Sequence, residues 1–439
     1  MMTIMRFFGP AAAAFTVAVG LAGPAAAIDI QELESPGGID YWLVEEHSIP
    51  IVALEVEFGG GARLDPEDRL GIAEMVAGLL DEGAGELDAL AFAKARDDLS
   101  ARYSFSAGRD GIDVSARMLS EKLEPSVALL ASALAEPRFD EEPVGRVRKQ
   151  LLSNIAERST DPNAIAGETW FGRAFPDHPY GRPASGTAET VAAIDVPDLE
   201  AAHDRLLTRS NATVGIVGDV TPAEADAMVD TLFAGLPEGE PLAEETAEGT
   251  PPPGVEVIEL AKPQSVAIFG HKGLAREDDD FIPAYVLNYI LGGGGFESRL
   301  MEEVREKRGL AYSVSTSMLP LDQAALYIGS VSTANARMGE SLDVIRGEWK
   351  RLAEEGPTAE ELEAAKKYLT GAFPLRFDSN AKIAGYLVFL QKEELGAGYI
   401  DTRNDMIEAV TLEDARRVAR RLYAPDALSI VVVGQPEGV

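Results

Sequence analysis

The 439-residue chain contains no cysteine. That excludes a disulfide scaffold, a thiolate metal site, a thiol nucleophile and a lipidated cysteine anchor. Histidine is almost as scarce. The four are His47, His178, His203 and His271, and no two have the three- to five-residue spacing of a metal-binding pair. His178 reads as a turn residue, His271 as a structural position on a strand, and His47 and His203 as surface residues. Positive charge is short as well: 39 Lys and Arg stand against 73 Asp and Glu, a net charge of −34. Nucleic acid and anionic lipid both recruit a basic surplus, so the balance argues against either as a partner. No serine stands in a Gly-x-Ser-x-Gly elbow. Beyond the N-terminal segment, apolar runs are too short to span a bilayer. The 46% hydrophobic and 26% charged content is that of a globular chain, which sets disorder aside.

The N-terminal segment, residues 1–27, reads as a secretory signal. Arg6 supplies a positive start, Phe7 to Ala22 is apolar and small, and Ala25-Ala26-Ala27 offers a cleavage site before Ile28. The rival is a membrane anchor, but Pro10, Gly20 and Gly23 make a poor spanning helix and no basic stop-transfer cluster follows. The expectation is cleavage near Ala27, export to the periplasm, and no membrane span in the mature chain.

The rest of the chain is written twice. Residues 237–254 are rich in Pro, Gly and Glu without apolar period, and read as an exposed acidic linker between residues 28–236 and 255–439. Five segments recur in the same order on both sides. Ile51-Val-Ala-Leu returns as Ser265-Val-Ala-Ile, and Leu79-Leu80 before a glycine returns as Ile290-Leu291. Tyr103-Ser-Phe-Ser returns as Tyr312-Ser-Val-Ser, and Asp161-Pro-Asn-Ala as Asp378-Ser-Asn-Ala. Val217-Gly218 returns as Val433-Gly434. In the first half, strands are expected at 40–46 and 51–58, then helices at 71–80 and 87–99. Strands at 103–107 and 111–117 follow, then helices near 122–135, 141–157 and 163–174 and a closing strand at 213–217. Strands grouped with strands and helices with helices predict an α+β fold made of two α/β sandwiches.

Four segments carry a family resemblance: FGGGARLDPEDRLGIAEMVAGLLDEG, FPDHPYGRPASGTAETVAAI, LGGGGFESRLMEEVREKRGLAYSV and TAEELEAAKKYLTGAF. With them the chain resembles the insulinase or pitrilysin (M16) peptidases in their short two-domain bacterial form. The resemblance implies two homologous domains of the kind found in LuxS and the mitochondrial processing peptidase, forming a half-shell. Active members carry His-x-x-Glu-His on the first helix of the first half, and a further Glu about 76 residues on completes the zinc ligands, with water in the open position. Here the first His position is Glu74, the general base position is Ala77 and the second His position is Gly78. The downstream ligand falls on Leu152-Ser153-Asn154-Ile155, which holds no carboxylate; Glu157 would need a register slip. One carboxylate cannot hold catalytic zinc. Glu74 then reads as a solvated helix face or as a polar contact across a subunit interface.

The second half keeps another family feature. Arg305 and Tyr312 stand seven residues apart, a spacing at which the family's Arg and Tyr hold the substrate backbone near the active site. A guanidinium donates paired hydrogen bonds to a carbonyl and a phenol donates to an oxyanion. Arg96 and Tyr103 repeat the spacing in the first half, so the pair also reads as a property of the repeat, with an exposed Arg and a core Tyr. Gly292, Gly293, Gly294 and Gly295 precede the pair where the resembling non-catalytic subunit has a substrate-guiding glycine loop; a tight turn is the other reading. Phosphate cradling fails because no Lys-Ser/Thr follows.

The resemblance therefore implies a non-catalytic subunit of a heterodimeric zinc endopeptidase acting on unfolded peptides. A partner of the same family would bring His-x-x-Glu-His and the zinc, and this chain would bind no metal. The alternative is a peptide-binding or assembly protein of the same fold without a peptidase role.

Overall fold

The computed structural model describes residues 28–243 and 246–439. The expected signal at 1–27 lies outside the described residues.

The first sheet contains β1 (Gln31–Glu34), β2 (Asp40–Glu45) and β3 (Ile51–Gly59). A two-residue hairpin, β4 (Gly83–Ala84) and β5 (Leu87–Asp88), lies apart from it. The sheet continues with β6 (Arg102–Ala107), β7 (Gly111–Leu119) and β8 (Ala212–Gly218), in the order β1-β2-β8-β3-β7-β6. The period-two pattern decides which side is buried: Ile112, Val114, Ala116 and Met118 of β7 all point into the core. The second sheet contains β9 (Gly254–Glu259), β10 (Gln264–Lys272), β11 (Ser313–Pro320), β12 (Ala325–Ala334) and β13 (Ser429–Gly434), in the order β11-β12-β10-β13-β9. Read from its other edge, this is the order of the first sheet without β1, with β2–β8 and β9–β13 as the matching parallel pairs. The duplication read from five short segments is a duplication of topology.

Each sheet packs one face on helices of its own half. In the first half these include α1 (Ile72–Ala77), α2 (Ala89–Leu99), α3 (Leu123–Ala135) and α4 (Glu141–Arg158). The predicted helix at 71–80 is shorter, because Gly78 caps it and the chain turns toward β4. The predicted helix at 87–99 begins at Ala89, where Asp88 accepts the Ala91 amide at 2.9 Å. After α5 (Pro162–Ala174) come α6 (Ala188–Ala193), α7 (Val196–Leu206) and, beyond the closing strand, α8 (Pro222–Phe233). The second half has α9 (Phe281–Asn288), α10 (Met338–Glu355), α11 (Ala359–Gly371), α12 (Asn380–Lys392), α13 (Tyr399–Glu408) and α14 (Leu412–Leu422). Thr221-Pro-Ala-Glu224, Thr358-Ala-Glu-Glu361 and Thr411-Leu-Glu-Asp414 are capping boxes that fix three of these starts.

The outer faces of the sheets are covered by exchange. Helix α5 of the first half lies on the second sheet, where fully buried Trp170 packs with Val266, Val431 and Val433, and its indole N–H donates to the Ser429 carbonyl at 3.2 Å. Helix α12 of the second half lies on the first sheet, where Ala384, Leu387 and Leu390 pack on Trp42, Ala53 and Val217. Gly215 of β8 permits that approach, since a Cβ there would stand 2.6 Å from the Ala384 carbonyl oxygen. The repeated segments Asp161-Pro-Asn-Ala and Asp378-Ser-Asn-Ala mark the starts of these two exchanged helices.

The stretch between the halves is mostly exposed but strapped down, which the sequence reading did not anticipate. Ala247 donates its amide to the Gln323 carbonyl at 2.6 Å, Arg173 reaches the Pro252 carbonyl at 2.9 Å, and Gly249 is buried against Phe175 and Leu326. Exposed acidic side chains and pinned backbone coexist here, and composition reports only the first.

Candidate functional site

Helix α1 carries the positions of the family's metal motif. Gly71 at its start has φ of 90° and no side chain to cap the helix. Buried Asp65 caps it from six residues upstream, accepting the Gly71 amide at 2.8 Å and the Ala73 amide at 3.3 Å. Burial pushes the Asp65 carboxyl up to about 7, against the pull of those amides. The helix is therefore firmly placed, but what it presents is not a metal site. Glu74 is half-buried, Ala77 is buried and Gly78 offers no side chain. On α4, the Asn154 side-chain oxygen accepts from Gln150 at 2.8 Å. Asn154 and Glu157 line an open cleft of about 640 Å³ whose other polar walls include Arg109, Arg158 and Glu168. One carboxylate, a methyl, a glycine and an amide do not make the donor set of a zinc ion. Among the described residues no three His, Cys, Asp or Glu converge to hold a metal.

The second half presents a different constellation. Arg305 ends a π-helical turn (Met301–Glu306), and Tyr312 directly precedes β11. The Arg305 guanidinium carbon lies 4.9 Å from the Tyr312 ring centroid and 4.5 Å from that of Phe296. Tyr312 is 81% exposed and Phe296 is 62% exposed. Of the acidic neighbours of Arg305 in sequence, Glu302 and Glu303 are engaged elsewhere, and Glu306 forms no ion pair with it. Lys307 takes Glu302 at 3.0 Å and Glu303 at 2.7 Å, and Arg308 takes Glu303 again. Among the described residues Arg305 forms no ion pair, so two aromatic faces hold its plane and its N–H donors stay free. Phe296 was not singled out from the sequence. Its signal was there: a large aromatic directly after four glycines, where a loop would ordinarily be polar.

The first-half counterpart has gone the other way. Tyr103 is buried and donates to the Ser126 carbonyl at 2.7 Å, while Arg96 pairs with Asp81 at 3.1 Å. The spacing belongs to the repeat; the exposed Tyr belongs to the second half alone. A Tyr at 312 inside the core, one of the two sequence readings, is excluded.

Three of the four glycines before the pair are closely approached. Gly292 and Gly293 sit in a π-helical turn (Tyr289–Gly293), where a Cβ at Gly292 would stand 2.6 Å from the Thr316 hydroxyl and one at Gly293 2.6 Å from the Asn288 amide. Gly294 is likewise closed in by Tyr289, and Gly295, with φ of 58°, turns the chain toward Phe296. The run lets a helix end lie directly on β11 and so aims Phe296.

A second polar feature lies on the seam between the halves. Lys392 at the end of α12 pairs with Glu57 of β3 and, at 3.1 Å, with Asp322. Around a cavity of about 260 Å³ stand also Glu55, Asp110 and Asp113. Burial pushes Glu55 up to about 7, with a Ser115 hydrogen bond opposing, and it pushes Glu57, Asp110 and Asp113 upward as well. Burial pulls Lys392 down, but Glu57 and Asp322 more than reverse this.

The histidines hold structure. His178 accepts the Tyr180 amide at 3.2 Å through Nδ1 and reaches Gln323 of the other half at 3.0 Å through Nε2. His271 is buried, with Nδ1 at 2.8 Å from the Lys272 carbonyl. His47 is exposed between Glu45 and Asp219. His203 is not the surface residue it reads as: it is buried on α7, with Nε2 at 2.7 Å from the Leu134 carbonyl. A distant carbonyl partner makes that burial possible and leaves no mark in the local sequence.

Comparison with known proteins agrees with this geometry. The model of the insulinase peptidase family M16 matches residues 42–188, and that of the peptidase M16 inactive domain matches residues 193–369. The chain is 27% identical over 333 residues to the "non-peptidase homolog YmxG" of Helicobacter pylori, covering 76% of this chain and 77% of that protein. It is 24% identical over 389 residues to an uncharacterized zinc protease of Rickettsia bellii, covering 87% and 92%. The crystal structure of a peptidase M16 inactive domain from Pseudomonas fluorescens superposes with a TM-score of 0.87 at 28% identity, covering 93% of this chain and 98% of that one. The chain belongs to the M16 peptidase family, with Glu74, Ala77 and Gly78 standing at the positions of the family's metal motif.

Proposed function

We propose that this chain is the non-catalytic, peptide-holding subunit of a periplasmic M16 heterodimer. A catalytic partner of the same family supplies His-x-x-Glu-His, zinc and the general base. This chain supplies Arg305 and Tyr312, which take the backbone of an unfolded peptide as it lies across the partner's metal. The observation that carries the reading is the contrast between the two halves. Glu74, Ala77, Gly78 and Asn154 do not make a metal site, while half-buried Arg305 forms no ion pair among the described residues and is held by two rings. A guanidinium kept free of carboxylates in so acidic a chain suits a ligand that accepts hydrogen bonds. Division of labour is chemically reasonable, because metal and transition-state donors need only converge in space.

The test is affinity purification of the tagged mature chain from its native periplasm, with co-purifying chains identified by mass spectrometry. A stoichiometric partner bearing His-x-x-Glu-His is expected, with cleavage by the pair lost on Arg305→Ala. Recovery of no such partner, or of a membrane assembly instead, would overturn the peptidase role in favour of the assembly role.

A further inference from the structure

A small cavity of about 70 Å³ lies inside the second half, between α9, the turn at Phe373–Arg376, α12 and α13. Its polar wall consists of Arg276, Arg376, Arg403, Tyr285, Tyr386 and Tyr399, and no Asp or Glu lines it. In a chain where acids outnumber bases by 73 to 39, three guanidiniums on one wall without a carboxylate among them are an anomaly. Arg276 has an outside counter-ion, Glu393 at 3.0 Å. Arg403 has none. It is 6% exposed, and its donors reach only neutral acceptors: the Leu369 carbonyl at 3.2 Å, Asn404 at 3.0 Å and the Tyr285 hydroxyl at 3.4 Å. A buried charge without an opposite charge is costly unless something completes the site. The aromatic neighbours hold the guanidinium faces, Phe281 under Arg276 at 4.4 Å and Phe373 under Arg403 at 4.3 Å. A face held by a ring leaves the edge donors for a planar acceptor.

We propose that this cavity binds a carboxylate group. Guanidiniums clamp a carboxylate through paired N–H donors, and phenols add O–H donors around it. Burial raises Tyr386 to about 12, so its hydroxyl stays a donor at neutral pH. The volume admits a carboxylate head and little more. The source is a free small acid or the C-terminal end of a peptide, and the chemistry is common to both. The site is separate from Arg305 and Tyr312 and does not depend on the subunit role proposed above.

The test is calorimetric titration of the mature chain in low-chloride buffer with acetate, with a short peptide bearing a free C-terminus, and with the same peptide amidated. Saturable binding of acetate or of the free-acid peptide is expected, with no binding of the amide. A free-acid peptide at least tenfold tighter than acetate identifies a peptide end; equal affinity identifies a small acid. Arg376 is exposed on its turn, so Arg376→Gln is the variant least prone to misfold, and it is expected to weaken binding about tenfold. Acid and amide binding alike, inorganic phosphate binding tighter than acetate, or Arg376→Gln binding as well as wild type would each overturn the proposal.

Discussion

Arg305 and Tyr312 face one another at 4.9 Å on the protein surface, while their repeat counterparts Arg96 and Tyr103 have separate structural partners, Asp81 and the Ser126 carbonyl. One ancestral spacing has been put to two uses. Substitutions should therefore separate them. Tyr312→Phe is expected to change unfolding free energy by under about 0.5 kcal/mol, as exposed positions do, Arg305→Ala by no more than about 1 kcal/mol, the scale of surface cation–π contacts, and both to abolish or strongly weaken peptide capture. Tyr103→Phe removes a buried hydrogen bond to a carbonyl that the helix also engages, at a cost of about 0.5–1.5 kcal/mol, without touching capture. Chemical denaturation beside a peptide-binding assay reads both effects. A large stability loss from Arg305→Ala would contradict the assignment.

Phe296 supports the second face of the Arg305 guanidinium. Phe296→Ala is expected to cost about 0.5–1 kcal/mol of peptide binding, and Phe296→Trp to restore it, because the ring quadrupole holds the cation. Phe296→Leu keeps apolar area without the quadrupole and should restore little. If Leu and Trp rescue equally, the ring acts as apolar surface alone.

The exchanged helices make the two sheets one unit. Trp170→Ala empties the seat of α5 on the second sheet and is expected to cost about 3–5 kcal/mol, and Leu387→Ala on α12 about 2–5 kcal/mol. Both variants should still unfold in a single transition, with hydrogen exchange rising in both sheets. Two resolved transitions, with only one sheet exchanging faster, would show the halves to be independent.

The seam carboxylates give stability a direction in pH. Glu55 rises from an ordinary 4.5 to about 7 on folding, so the folded chain holds its proton more tightly than the unfolded chain. That contribution is fully present below about pH 4.5 and is lost as pH rises through 7. Glu55→Gln fixes the neutral form. Its melting temperature should exceed that of wild type at pH 8, with the advantage shrinking toward pH 5. An advantage that does not vary with pH would place the effect elsewhere.

Restoring histidine to α1 meets packing as well as missing ligands. A Cβ at Gly78 would stand 3.3 Å from the Val147 methyl, tighter than ordinary contact. Gly78→His is expected to cost about 1–3 kcal/mol by overpacking. In a double-mutant cycle, Val147→Ala should return part of that cost as a favourable coupling of about 1 kcal/mol. Additive effects would show that the helix has kept room for the lost ligand.

The legible parts of the fold were those set by neighbours in sequence. Gly218 and Gly434 end matching strands at φ of 148° and 145°, conformations that other residues rarely adopt, so the repeat could be found from them. Thr358 and Glu361 announce a helix start within four residues. The apolar faces of α5 and α12 announced burial but not a destination, since a 3.6-residue period says that a helix is covered and not by which sheet. His203 failed for the same reason: its partner Leu134 is far away in sequence. At the candidate site, Arg305 and Tyr312 were visible through their spacing, whereas the freedom of Arg305 depends on Lys307 and Arg308 occupying Glu302 and Glu303, a competition that only three dimensions resolve.

The reciprocal seating of α5 and α12 also bears on how such a chain could arise. Half of it alone would hold a sheet with one bare apolar face and a helix with nowhere to lie. Two copies would satisfy each other by trading that helix, as a swapped pair of half-length chains would. Fusion of two such chains would convert an association between molecules into one within a molecule. Once fused, the two copies could drift apart in sequence while the trade held them together, and one half could lose exposed chemistry that the other retained.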